Sequence, residues 1–310
     1  MSLVSKYVDL FPSFYATNHR FTQMFEAFVA SLGIKKKAII YSVFGNQADS
    51  LPRNDDKDHV HILWSGEPFV RDNLDKYDLL WTMQETSTET KTACFPLLLL
   101  EALSFNKEYF DQLTRPRTLI ARAPYFCCQV TSNNNHDSHV RNNFFIHLQQ
   151  WLKENDASKS ICSLGRNYNN VGFLAPENDD TGKGAYFNLL LNFRFMLCFE
   201  NSQQPYYLSE KIMNAWLAGT IPVYWGCSSV DKWLNPKAFL QLKNTSGGPF
   251  PSEADMNTLM NEILRLDDDP IAFKEIYEQP LITTVPDDLN YDVIMQKSRD
   301  ILLHHRPDAF

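Results

Sequence analysis

The sequence predicts an α/β protein built from two Rossmann-like units. Three observations carry that prediction. Short apolar stretches rich in β-branched and aromatic residues alternate with longer stretches of helical periodicity, the pattern of successive βαβ units. Near Arg115-Pro116-Arg117 the alternation stops and starts again, which divides the chain into two series. Several strand-like stretches run directly into Gly, Pro or a polar cluster, as a strand does on entering a loop.

In the first series, Lys6 to Phe11 reads as a strand closed by Pro12. Phe21 to Leu32 reads as a helix, because Phe21, Met24, Phe25, Phe28 and Leu32 share one face and Gly33 stops it. Ala38 to Phe44, Val60 to Trp64 and Tyr77 to Met83 read as further strands of a doubly wound layer. Tyr125 to Val130 opens the second series as a strand, and Asn142 to Leu152 follows as a helix with Phe144, Phe145, Leu148 and Leu152 on one side. Phe193 to Phe199 and Ile221 to Trp225 read as strands, with a helix over Ser209 to Ala218 between them. Leu266 to Pro270 (LDDDP) reads as a solvated turn. Tyr291 to His305 reads as an amphipathic helix with Val293, Ile294, Ser298, Ile301 and Leu302 near one face.

Composition narrows the function classes. The 310 residues carry a formal charge of −8, which argues against nucleic-acid binding by the general surface and leaves room for a local basic pocket. The longest apolar run, Phe95 to Leu100, is broken by Glu101 and falls far short of the roughly 20 residues of a membrane span. The opening MSLVSKYVDLFPSF has no secretory apolar region, so a soluble, cytoplasmic protein is expected. The six cysteines contain no Cys-x-x-Cys pair and most lie in apolar stretches, as buried reduced thiols do. No Gly-x-Gly-x-x-Gly follows a strand, against a dinucleotide oxidoreductase. His59 and His61 alternate along a strand and should face opposite sides. His136 and His139 flank Asp137 in a polar loop without a third ligand at sensible spacing, so no metal centre is expected.

The chemistry is densest from Cys198 to Gly226 (CFENSQQPYYLSEKIMNAWLAGTIPVYWG). A strand ends at Phe199, and Glu200, Asn201 and Ser202 follow at its C-terminal edge, where open α/β sheets bind ligands. Ser209 is placed to N-cap the next helix, with Glu210 and Lys211 in its first turn. A helix start with an added lysine suits a phosphate. Glu210 would sit beside it, able to accept hydrogen bonds from sugar hydroxyls. Spacing alone leaves equally open that Glu210 only complements the helix dipole.

This segment closely resembles the signature of the α1,3/4-fucosyltransferases, glycosyltransferase family 10, in its compact soluble form. The resemblance rests on Phe199-Glu200-Asn201, Tyr207, Ser209-Glu210-Lys211 and Pro222-Val223-Tyr224-Trp225-Gly226. Weaker matches follow the family's order: Tyr41-Ser42-Val43-Phe44-Gly45, Trp64-Ser65-Gly66-Glu67-Pro68, Val130-Thr131-Ser132-Asn133 with Val140-Arg141-Asn142, and Leu164-Gly165-Arg166-Asn167. It covers roughly residues 6 to 240.

The resemblance implies a GT-B architecture, two Rossmann-like domains facing each other across a cleft. Residues 1–122 would bind the acceptor and 123–290 the donor GDP-fucose, with a C-terminal helix over 291–310 packing back on the first domain. It implies an inverting transfer of fucose to a hydroxyl of a GlcNAc-containing, N-acetyllactosamine-like glycan. Such chemistry needs a base for the acceptor proton, positive charge for the departing diphosphate and polar groups for an oxocarbenium-like sugar. By the same resemblance Glu67 would be the base, Arg141 and Lys211 would hold the diphosphate, and Glu210 would face the fucose. Asn201 and Tyr207 would contact the donor, while Glu200 stands between a donor role and one of fixing the loop. No cofactor is required, and a divalent ion would at most stimulate. The alternatives are a GT-B transferase using another nucleotide sugar and a non-catalytic glycan-binding protein on the same scaffold. Acceptor choice would lie in variable loops such as Asn46 to Asp58 or Glu85 to Thr92.

Overall fold

Two all-parallel sheets organise the chain. The structure, a computed structural model, describes residues 8–10, 19–43, 52, 56–68, 72–105, 107–132, 139–176 and 184–310. From the N-terminus run β1 (Val8–Leu10), α1 (His19–Leu32), β2 (Lys37–Ser42), β3 (His59–Trp64), β4 (Leu79–Thr82), β5 (Thr92–Cys94), α2 (Leu97–Phe105) and α3 (Lys107–Leu113). Then come β6 (Tyr125–Gln129), α4 (His139–Asn155), β7 (Ile161–Ser163), α5 (Gly184–Leu190), β8 (Phe193–Leu197), α6 (Lys211–Leu217) and β9 (Ile221–Tyr224). The chain finishes with α7 (Val230–Trp233), β10 (Leu240–Gln241), α8 (Glu253–Asp268), α9 (Pro270–Tyr277) and α10 (Tyr291–His305). Of the residues singled out from the sequence, Lys6, Phe11, Pro12, Phe44, Gly45, Asn133, His136 and Asp137 lie outside the described ones, as does most of the loop Asn46 to Asp58.

Contacts group the chain into two compact units. One comprises residues 1–104, 205–208 and 285–310, and the other 105–204 and 209–284. In the first unit the strands pair in the order β1-β2-β3-β4-β5, all parallel. The expected doubly wound layer is therefore corrected here, because the described strands follow chain order without a reversal. Strand order is set by the direction of each crossover, which a run of apolar residues does not encode. The core of this unit is aromatic. Phe25 stacks on Trp81 at 6.3 Å between ring centroids, and Phe28 meets Trp81 and Phe95 edge-on. Helix α10 covers the same place: Trp81 Nε1 donates to Ser298 Oγ at 2.9 Å, and Arg299 donates to the Leu32 carbonyl at the end of α1. Its buried face is Ile294, Met295, Ser298, Ile301 and Leu302, with Met295 in the place expected for Val293.

In the second unit the order is β10-β9-β8-β6-β7. The chain begins inside this sheet, winds outward to β7, then returns past β6 to β8, so the direction reverses between β6 and β8. Such a reversal opens a crevice at the C-terminal ends of the two strands. The strands are nearly all buried, as parallel strands covered on both faces are, and Phe126, Phe195, Leu197, Ile221 and Val223 pack with Phe144, Phe145 and Leu148 of α4 and Met260 and Ile263 of α8.

The helix that follows the crevice is fixed at its far end. Thr220 N bonds Ala215 O at 3.1 Å and Gly219 N bonds Trp216 O at 3.0 Å, a Schellman closure of α6. Arg117 donates to the Trp216 and Thr220 carbonyls at 2.6 and 2.9 Å, and its guanidinium lies 4.5 Å from the Trp216 ring centre and 4.1 Å from that of Tyr277. The arginine thus answers carbonyls at the end of α6 while stacking on two aromatic faces.

The LDDDP stretch is not a solvated turn, as read from the sequence. Helix α8 continues through Asp267, whose buried carboxylate meets Arg194 Nε at 2.6 Å, Arg122 Nη2 at 2.7 Å and Lys159 Nζ at 3.6 Å. Asp269 then caps α9, accepting from the backbone N–H of Ile271 and Ala272, with Pro270 in the first turn. Three acidic residues in a row look solvated only until distant cations are brought to one of them. Asp267→Asn should lower unfolding free energy by about 3 kcal/mol, because the cations lose their buried counter-charge; urea denaturation would measure it, and an unchanged midpoint would remove Asp267 from the core of this unit.

Candidate active site

A pocket of about 360 Å³ lies at the reversal point of the second sheet. Its walls come from the loops after three strands: Thr131 and Ser132 after β6, Gly165 and Arg166 after β7, Cys198 and Phe199 after β8. Glu210 and Lys211, where α6 begins, complete it. That volume is in the range of small-molecule sites.

The wall after β8 is built around one carboxylate. Pairing of β8 with β9 continues past the strand ends, with Cys198 N to Val223 O at 2.9 Å and Glu200 N to Trp225 O at 2.8 Å. This carries Glu200 into the interior, where it has no exposed surface. Glu200 Oε1 accepts from Ser209 N at 2.8 Å, and Oε2 accepts from Ser209 Oγ at 2.6 Å and Lys211 Nζ at 3.0 Å. Tyr224 OH approaches Oε1 at 3.5 Å. Lys211 Nζ also donates to Ser209 Oγ at 2.9 Å. Gly226 is required by this packing: a Cβ there would stand 2.3 Å from Glu200 Cγ, and its φ is +150°.

The expected N-cap is met only in part. The capping position of α6 is Glu210, in helical conformation and without a side-chain cap bond, while Ser209 Oγ, one residue earlier, accepts from Lys211 N at 3.5 Å and donates to the buried Glu200 carboxylate.

The other two walls depend on asparagine. Asn167 Nδ2 donates to Asn142 Oδ1 on α4 at 2.8 Å, while Asn170 accepts from Ser163 N at 2.8 Å and donates to the Ile161 carbonyl at 2.9 Å. Ser163 Oγ in turn bonds the Asn167 carbonyl at 2.6 Å. These bonds fold the loop after β7 back onto β7 and α4, and Asn167 N, donating to the Thr131 carbonyl at 2.9 Å, joins it to the loop after β6. Gly165 is the point of closest approach, since a Cβ there would fall 2.0 Å from the Thr131 carbonyl oxygen.

The structure places the expected residues as follows. Glu210 and Lys211 line the pocket. Arg141, buried in the first turn of α4, and Asn201 are brought together, Arg141 Nη1 donating to Asn201 Oδ1 at 2.9 Å; neither is among the residues lining the pocket. Tyr207 is buried and does not line it either. Residues 205–208 belong by their contacts to the first unit, where Leu208 accepts from Leu98 N at 3.2 Å. Glu67 lies in the first unit, half-buried just beyond the C-terminal end of β3, with its N–H donating to Ser65 Oγ at 3.3 Å. Sequence reasoning passed over Arg166 as a cation of the pocket, although a Gly-Arg pair directly after a strand was a usable signal. It also passed over the asparagine network, which no spacing announces.

His59 and His61 do not face opposite sides as expected, because residues two apart along a strand share one face. Asp56 reaches both: His59 Nδ1 lies 2.9 Å and His61 Nε2 3.7 Å from its Oδ2. Among the described residues no three His, Cys, Asp or Glu side chains gather as metal ligands would. All six cysteines are free thiols, and burial raises Cys227 to about 12 and Cys127 further.

A family model for glycosyltransferase family 10 (fucosyltransferase), C-terminal part, matches residues 122–278, just over half of the chain. The chain belongs to that family. The matched span contains the pocket, Arg141, Asn201, Tyr207, Glu210 and Lys211, and leaves Glu67 outside. Over 229 residues this family 10 member is 24% identical to the putative fucosyltransferase R654 of Acanthamoeba polyphaga mimivirus, covering 72% of this chain and 34% of that protein. Over 117 residues it is 32% identical to the α-(1,3)-fucosyltransferase FucT of Helicobacter pylori, covering 38% of this chain and 21% of that one. The chain thus spans about a third or less of the length of these relatives. Its fold matches a solved α1,3-fucosyltransferase with GDP-fucose at a TM-score of 0.58 and 20% identity, over 86% of this chain and 77% of that one. The α/β architecture is accordingly of the GT-B type.

Gly165→Ala should destabilise the second unit by roughly 1–3 kcal/mol, the usual cost of overpacking. A thermal melt of the variant would read this, and an unshifted transition would mean that the two loops are not pressed together at that point.

Proposed function

We propose that the protein is an inverting fucosyltransferase that moves fucose from GDP-fucose to a hydroxyl of a GlcNAc-containing glycan. The observation that carries this reading is the position of Lys211 and Glu210 on the wall of a pocket at the sheet's reversal point, inside the span matched by the family model.

In this reading the pocket takes the donor. Lys211 meets the diphosphate as a point charge, and Arg141, although Asn201 holds it outside the residues that line the pocket, is the second cation proposed for it. Tyr207 acts on the donor side as a packing residue of the loop rather than as a wall of the pocket. Glu210 faces the fucose and favours positive charge at its anomeric carbon. Glu67 takes the proton of the acceptor hydroxyl as that oxygen attacks the anomeric carbon from the face opposite the diphosphate. The bond from that carbon to the phosphate oxygen breaks, and GDP leaves with the electron pair, so the β-linked sugar becomes α-linked. With two cationic side chains on the leaving group, a divalent ion is at most stimulatory. An N-acetyllactosamine-like glycan is the proposed acceptor, with transfer in the cytoplasm.

Transfer from GDP-fucose to an array of acceptors tests the reading as a whole, and absence of turnover with every GlcNAc-containing glycan would overturn it. Glu67→Gln keeps shape but cannot accept a proton. It should lower turnover at least ~10²-fold while GDP binding is retained; near-normal transfer would place the base elsewhere. Lys211→Ala should weaken GDP binding by roughly 1.5–3 kcal/mol, the worth of a charge-assisted contact, and calorimetry showing equal affinity would remove Lys211 from the diphosphate.

A further inference from the structure

Glu200 has no exposed surface and lies one residue pair away from the pocket wall. A carboxylate so placed is costly unless every oxygen is answered. Its donors are Ser209 N, Ser209 Oγ, Lys211 Nζ and Tyr224 OH, and Tyr224 OH is itself fixed by accepting from Cys227 N at 2.9 Å. Of the five residues in this cage, Glu200, Ser209 and Cys227 lie in the turns that follow β8 and β9, Lys211 opens α6 and Tyr224 ends β9. The cage thereby ties the start of α6 to the end of the neighbouring strand. Gly226 is pressed against the Glu200 side chain.

A feature of this arrangement needs explaining. A carboxylate 3.0 Å from Lys211 reduces the positive potential that the pocket offers to an anion. On charge alone it works against a phosphate site. What it supplies is geometry: a lysine has a long, freely rotating stem, and here the ammonium is held between Glu200 Oε2 and Ser209 Oγ at 3.0 and 2.9 Å while the side chain keeps 22% exposure toward the pocket. We propose that Glu200, with Ser209, is a positioning residue that holds the Lys211 ammonium at the pocket wall for the donor diphosphate. The inference rests on the donor reading above and deepens it: Glu200 acts through Lys211 and touches no substrate.

The two effects of Glu200 have opposite signs, so one experiment separates them. GDP affinity is measured by calorimetry for the wild type, Glu200→Gln, Lys211→Met and the double variant. The expected result is a loss of about tenfold for Glu200→Gln when Lys211 is present, a coupling within the range of contacting residues, and a loss under about twofold when Lys211 is already methionine. Unchanged or tighter GDP binding by Glu200→Gln overturns the proposal, because charge then outweighs placement. An equal loss in both backgrounds also overturns it, because Glu200 then supports the fold at large. A wild type that binds no GDP overturns the donor reading itself, and with it this inference, and is distinguishable from either result. If Glu200→Gln does not fold, Ser209→Ala takes its place in the same cycle: it keeps the carboxylate and deletes the hydroxyl shared by Glu200 and Lys211, with the same expected and overturning outcomes.

Discussion

The four hydrogen bonds that converge on Glu200 hold the second unit's pocket in shape. A buried carboxylate cannot be left short of donors, since its desolvation is recovered only through charge-assisted bonds in fixed geometry. The turn after β8 must therefore deliver Ser209 and Lys211 to one point, and the turn after β9 must leave room there with Gly226. A wrong register between β8 and β9 would displace all of these at once, because Glu200 N is itself paired to Trp225 O. The backbone ladder and the side-chain cage thus enforce each other.

The reversal of strand order does the remaining work. Between β6 and β8 two neighbouring strands of this sheet send their following chains away from each other, and the loops that diverge there leave space for a ligand. The asparagine-braced loop after β7 and the Arg117 clamp at the far end of α6 then keep the walls from closing or drifting. The base proposed for the acceptor belongs to the other compact unit. Glu67 comes from the first unit, on a turn that continues the pairing of β3 with β4 through Ser65 N to Trp81 O at 2.9 Å. The family model spans the pocket and leaves Glu67 outside.

Much of this was legible in the residues alone, for physical reasons that are local. The helix over Tyr291 to His305 is found where its periodicity puts it, because an amphipathic face of fifteen residues admits one helical phase. Strands β2, β3, β6, β8 and β9 lie within two residues of the stretches read from their apolar runs. Glu210 and Lys211 could be singled out because the end of a buried strand, a polar turn and the start of a helix follow one another within fifteen residues.

Other features could not be read this way, since they join residues far apart in the chain. Nothing in Arg141 or Asn201 shows that the two bond each other across sixty positions. Asp267 reads as one of three solvated acids until Arg122, Lys159 and Arg194 are folded onto it. Ser209 reads as a helix cap, and only the fold shows that its hydroxyl also donates to the Glu200 carboxylate. The sequence by itself determined the element types, the two parallel layers and the residues that carry charge at the strand ends, because periodicity and turn chemistry are properties of neighbours along the chain. The tertiary structure alone decided the strand order, the partner of each buried charge and which candidate side chains reach the pocket, because these depend on the direction of crossovers and on the demand that every buried polar group find a donor or acceptor.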